Sequence, residues 1–210
     1  MEKERKIKVL SIVALIVAVL GLTVAFAALS QTLTINGTSK VEKNDDGQGN
    51  KRWEVRFYGV SSDGSIDESA TTVKPVITGD ATAENATLSN DTTIDGVNVK
   101  LMKPGDKAVY TFYVKNNGSI KAKLNKITKN LECQTNNEND KTFCNYVSAT
   151  LTYDDNNEEV KENDKLGSMN SIMNSRKINL TFEFSNEATS LPTDDITLFN
   201  VPIVLTYVQD

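Results

Sequence analysis

Chemistry in this chain rests on a short inventory. The 210 residues include no histidine, which removes His-based catalytic triads, His–Cys dyads and His-ligated zinc from consideration. Cys133 and Cys144 are the only cysteines, separated by the polar stretch from Gln134 to Phe143. Such a pair, even in number and spaced by a polar loop, reads as one disulfide in an exported chain. A metal pair would need further soft ligands, and none is in sight. The acidic run Asp154-Asp155-Asn156-Asn157-Glu158-Glu159 offers oxygen donors suited to calcium. It lacks the spaced loop with a central glycine and a closing bidentate glutamate, so a solvated hairpin turn accounts for it better. Asn44-Asp45-Asp46-Gly47 earns the same reading. Trp53, Phe57 and Tyr58 could line a carbohydrate cleft, but Trp53 and Phe57 share one face of a strand and belong in a core; only Tyr58 and Tyr113 fall on the outward side. No catalytic, cofactor-binding or metal-binding set emerges, and no cofactor is expected.

The amino terminus sets the compartment. Lys3, Arg5, Lys6 and Lys8 outweigh Glu2 and Glu4, and an apolar run from Val9 to Leu29 follows, interrupted by Ser11, Gly21 and Thr23. A basic start, an apolar stretch and the small-residue triplet Ala25-Phe26-Ala27 make a secretory signal with cleavage after Ala27. A run of about 20 residues is also long enough to cross a bilayer as an uncleaved anchor. In both readings the basic end stays inside and everything after Ser30 goes outside. Residues 1–29 are thus a signal peptide or an N-terminal membrane anchor, and the product is secreted or displayed on the cell surface. Four of the 23 basic and two of the 28 acidic residues precede Ala28, leaving the exported part at net −7. That balance argues against nucleic acid as a partner, because phosphate backbones require a clustered basic surface.

The exported residues 30–210 alternate apolar and polar almost throughout. Leu33 and Ile35 alternate with Thr32 and Thr34. Trp53, Val55 and Phe57 begin a second run, and Val97, Val99 and Leu101 a third. Tyr110, Phe112 and Val114 follow, then Ile120, Ala122 and Leu124. The rhythm returns at Val147–Tyr153, Ile178–Phe184 and Val201–Tyr207. One apolar and one polar face per strand is the requirement of a two-sheet antiparallel sandwich. Asp63-Gly64, Asp95-Gly96, Pro104-Gly105-Asp106 and Asn116-Asn117-Gly118 supply turn residues between these runs. Residues 61–95 read as a long irregular excursion with one strand at Val73–Ile77. Residues 165–175 read as a short helical turn or a loop. A single domain spanning 30–210 is expected.

Two blocks carry a family likeness. The first is Ala25-Phe26-Ala27-Ala28-Leu29-Ser30, the strand Gln31–Val41 and Trp53-Glu54-Val55-Arg56-Phe57. The second is Leu101-Met102-Lys103-Pro104-Gly105-Asp106 followed by Tyr110-Thr111-Phe112-Tyr113-Val114-Lys115-Asn116-Asn117-Gly118-Ser119-Ile120-Lys121-Ala122-Lys123-Leu124. Together they resemble the TasA/camelysin-type exported surface proteins of Gram-positive bacteria; the second block is also common in immunoglobulin-like surface modules. The resemblance implies an all-β fold, a jelly-roll or immunoglobulin-like antiparallel β-sandwich preceded by an N-terminal hydrophobic helix. It further implies a non-enzymatic surface or matrix protein that forms homo-oligomers or fibres, as in biofilm. In such fibres the first segment of one subunit completes a sheet of its neighbour. Here that donor strand would be Ser30–Val41, with Leu33 and Ile35 entering the acceptor core and Thr32 and Thr34 facing out. The same strand could instead pair within its own chain, leaving a membrane-anchored monomeric adhesion or ligand-binding module that uses its end loops, including loop 133–144. Some camelysin-like proteins are described as metallopeptidases, a chemistry that paired histidines on a helix would support and that this histidine-free chain lacks.

Overall fold

A computed structural model of the chain describes residues 52–89, 92–129, 132–194, 196–199 and 203–210. The hydrophobic helix expected over residues 1–29, its cleavage residues Ala25 and Ala27, and the candidate donor residues Thr32, Leu33, Thr34 and Ile35 lie outside them.

The described strands follow the alternation closely. In chain order they are β1 (Val55–Val60), β2 (Ile66–Asp67), β3 (Thr72–Val73), β4 (Val76–Thr78), β5 (Thr82–Ala83) and β6 (Ala86–Ser89). Next come β7 (Thr93–Asp95), β8 (Asn98–Leu101), β9 (Lys107–Asn116), β10 (Ala122–Lys129) and β11 (Glu132–Gln134). A 3-10 helix, η1 (Glu138–Tyr146), precedes β12 (Val147–Tyr153), β13 (Lys165–Leu166), β14 (Ser175–Phe184), β15 (Ile196–Phe199) and β16 (Ile203–Gln209).

One layer has the order β12-β14-β9-β1-β2, with β4 also pairing β9. Its two long central strands bury every second side chain. In β9 these are Ala108, Tyr110, Phe112, Val114 and Asn116; in β14 they are Ile178, Leu180, Phe182 and Phe184. The antiparallel register sets Tyr110 opposite Leu180 and Phe112 opposite Ile178, so both strands present their apolar sets to the same side. Phe57 meets Phe112 edge-on with ring centroids 4.8 Å apart, and Tyr110 meets Phe182 at 6.1 Å. Each such buried side chain contributes about 2 kcal/mol from lost water contact.

The second layer consists of two strips with parallel orders, β13-β10-β16-β7-β6-β3 and β11-β15-β8-β5. Four chain segments (82–89, 93–101, 122–134 and 196–209) each give one strand to both strips, in the same neighbour order. Gly96, with a φ of 71°, lies where β7 passes into β8, a left-handed backbone that favours glycine. Ile94, Val99, Leu101, Leu124, Ile196, Leu198, Ile203 and Leu205 of this layer join the apolar sets of the first in one buried core. The architecture is antiparallel, all-β and sandwich-like.

Two sequence expectations need correction. Residues 61–95 are not an irregular excursion with one strand: they contribute β2 to β7, and the expected strand Val73–Ile77 is two short strands parted at Lys74-Pro75. Proline lacks the N–H that would have continued the ladder. The polar stretch between the cysteines is also more ordered than a loop, since it forms η1. Residues 165–175 begin with the short strand β13 and continue as turns. The Pro104-Gly105-Asp106 and Asn116-Asn117-Gly118 turns each carry the chain from one layer to the other, because β9 belongs to the first layer while β8 and β10 belong to the second.

Candidate functional site

The residues whose types invited a chemical reading prove to be anchors of turns and edges. Cys133 lies on β11 and Cys144 on η1, and the two are joined as a disulfide with Cα atoms 5.9 Å apart. Asn137 caps η1 by accepting from the Asn139 amide at 3.0 Å. Asp140, buried, is the centre of this end. One of its oxygens, Oδ2, accepts from the Thr193 amide at 2.8 Å, the Thr193 hydroxyl at 2.7 Å and the Asp194 amide at 2.9 Å. Those donors favour the charged form, the Thr193 hydroxyl most of all, and hold the carboxyl below its ordinary range against the opposing effect of burial. Phe143 packs edge-on against Phe184 with centroids 6.1 Å apart.

Asp106, in the turn between β8 and β9, is fully buried. Its Oδ2 accepts from the Met102 amide at 2.8 Å and the Lys103 amide at 3.1 Å, and its Oδ1 accepts from the Asp80 amide at 2.9 Å. Gly79 sits against this carboxylate with a φ of 80°; a side chain there would collide with Asp106. The Asp80 carboxylate in turn pairs with Lys103 Nζ at 2.6 Å, which raises the lysine above its ordinary value. Asn116, equally buried, closes the turn at the other end of β9. Its amide nitrogen donates to the Ile120 and Gly167 carbonyls at 2.7 and 2.9 Å, and its oxygen accepts from the Gly118 amide at 2.9 Å. Asp106, Asn116 and Asp140 are buried polar anchors that the sequence pattern alone does not single out. For the first two the signal was present: an acidic or amide side chain flanking a Pro-Gly or Asn-Gly turn commonly accepts from its own backbone.

The acidic run 154–159 is a hairpin turn, as expected. The Tyr153 amide donates to the Glu158 carbonyl at 2.9 Å, and Asn157 takes the left-handed φ of 56°. Asp154 pairs with Lys177 at 3.1 Å and accepts from Asn179 at 2.9 Å, while Asp155 meets Arg176 at 3.1 Å. Two of its carboxylates are therefore committed to basic side chains of β14. Among the described residues, no group of three His, Cys, Asp or Glu side chains could hold a metal ion. None of their helices is long and apolar enough to cross a membrane.

Tyr58 and Tyr113 are cross-strand partners on the outer side of the first layer, but they do not form an open aromatic platform. Tyr58 is buried; Tyr113 donates to the Gly64 carbonyl at 2.8 Å, and Lys115 lies over the Tyr58 ring while pairing with Glu68 at 2.6 Å. The segment 61–71 has folded over this face. Trp53 packs against the core, and Phe57 is inside it. An open cleft of about 190 Å³ runs beside β1, lined by Arg56, Phe57, Tyr58, Glu68 and Leu88 among others. On β4, at the margin of the same layer, Val76 is 67% and Ile77 37% exposed. No protein-family model, curated protein or solved structure matches the chain.

Proposed function

We propose that the chain is a non-enzymatic, exported surface or matrix protein of the TasA/camelysin type, with a jelly-roll sandwich that assembles into fibres by strand addition. The donor in this reading is the N-terminal segment around Thr32, Leu33, Thr34 and Ile35, freed by cleavage after Ala27. The observation that carries it is the short apolar strand β4 at a sheet margin, with Val76 and Ile77 exposed. An apolar sheet margin is a place where a second chain gains both backbone hydrogen bonds and side-chain burial. The buried polar groups support the same reading: Asp106, Asn116 and Asp140 are each satisfied by backbone donors or acceptors, which is the use of a structural group.

The experiment is amino-terminal sequencing of the exported product combined with negative-stain microscopy. Cleavage near Ala27 together with filaments is the expected result. An intact apolar segment with monomers would instead favour a membrane-anchored adhesion or ligand-binding module. That second reading draws on the stapled end of the sandwich, where the turn 102–106, η1 and the segment 185–194 gather and Leu191 is 66% exposed.

A further inference from the structure

We infer that the Cys133–Cys144 disulfide is a redox-operated latch on η1, whose opening releases that helix while the sandwich stays folded. The inference stands on the geometry of η1 and not on whether the chain assembles. η1 runs for nine residues, and Asp140 is its only buried side chain. A 3-10 helix of this length has poor intrinsic stability, and its apolar contact with the core is limited to the half-buried Phe143 and Cys144. Five ties hold it. The disulfide fastens it to β11, Asp140 takes three hydrogen bonds from Thr193 and Asp194, Asn137 donates to the Thr193 hydroxyl at 2.6 Å, the Tyr146 carbonyl accepts from the Ser185 amide at 2.8 Å, and Phe143 leans on Phe184. The disulfide is the one covalent tie. Closing so short a loop restricts the open chain by a factor of roughly 100.

The latch is open to a reductant. Both cysteines are half-buried, and an open hollow beside them is lined by Gln134, Thr135, Glu138 and Lys141. η1 touches both β11 and β12, the marginal strands of the two layers on this side. Releasing it uncovers the ring of Phe184, which Phe143 packs against. The chemistry is thiol–disulfide exchange with a dithiol reductant. The sulfur–sulfur bond breaks, Cys133 and Cys144 each leave as thiols after gaining one electron and one proton, and the reductant closes into its own disulfide.

Amide hydrogen exchange of the full chain, with and without dithiothreitol, tests this. On reduction, the amides of Asp140, Thr193 and Asp194 are expected to exchange at least about 100-fold faster, while those of Phe112 and Leu180 stay protected and the near-ultraviolet spectrum persists. The double variant Cys133→Ser, Cys144→Ser should behave as the reduced protein does. Unchanged exchange at Asp140, Thr193 and Asp194 would overturn the latch. So would loss of protection at Phe112 and Leu180 together with them, because the disulfide would then hold the whole sandwich.

Discussion

The hydroxyl of Tyr110, in the middle of β9, donates to the backbone carbonyl of Glu84 at 2.7 Å, joining the first layer to the passage between β5 and β6 in the second. Backbone at such a passage leaves the strand ladder and needs another partner. Tyr110 supplies one from across the core, and its ring is fully buried. Tyr110→Phe keeps the ring and removes the donor. We expect a loss of about 1–2 kcal/mol, read as a lower urea midpoint at unchanged slope.

Alkaline pH should attack the same core. Burial raises the hydroxyls of Tyr110, Tyr153 and Tyr207 well above the ordinary tyrosine value; at Tyr153 the bond to Asp164 at 2.8 Å adds to it. A raised folded value means that the folded state keeps protons the unfolded chain releases. Stability is therefore fully present below about pH 10 and falls as pH rises beyond it. Thermal melts between pH 8 and 12 should show a falling midpoint above pH 10, with tyrosinate absorbance from these residues appearing only on unfolding.

At the acid end the sign reverses. Asp63 is held down to about 2, chiefly by the Ser61 hydroxyl and then by the Ser65 amide and hydroxyl; Asp67, Asp140, Asp154 and Asp210 are also lowered. Their contribution is present above the ordinary carboxylate range and is lost as pH falls through the folded values. Melting temperatures should hold steady from pH 7 to about pH 4 and decline between pH 4 and pH 2.

Asp106 offers the sharpest single substitution. Asp106→Ala leaves the amides of Asp80, Met102 and Lys103 without their buried acceptor, and we expect a loss of about 3 kcal/mol or more. Asp106→Asn keeps a carbonyl acceptor but replaces the other oxygen with a donor, so it should fall between the two. Chemical denaturation of the three proteins gives the ranking.

The long strands were legible because their alternation is strict. β1, β9, β12 and β14 appear within a few residues of their apolar runs, since one buried face leaves no freedom in register. The disulfide was also legible, from number and context. The short strands β2 to β7 were not. Strands of two to four residues carry too little period to read, and several pair with neighbours distant in sequence, such as β8 for β5 and β9 for β4. η1 escaped for a related reason: it is held by Asp140 and the disulfide rather than by an apolar stripe. Tyr58 was correctly placed on the outward side of its strand, yet it is buried, because the fold of segment 61–71 over that face depends on tertiary contacts to Tyr113 and Lys115.

If, as proposed, the segment beginning at Ser30 serves a neighbouring copy rather than its own sandwich, its removal abolishes fibres and spares the fold. Electron microscopy of the purified exported protein lacking residues 30–41, with circular dichroism on the same sample, addresses it directly. A β-rich spectrum with cooperative melting and no filaments is the expected result. Filaments formed as readily without the segment, or a chain that no longer folds, would contradict it.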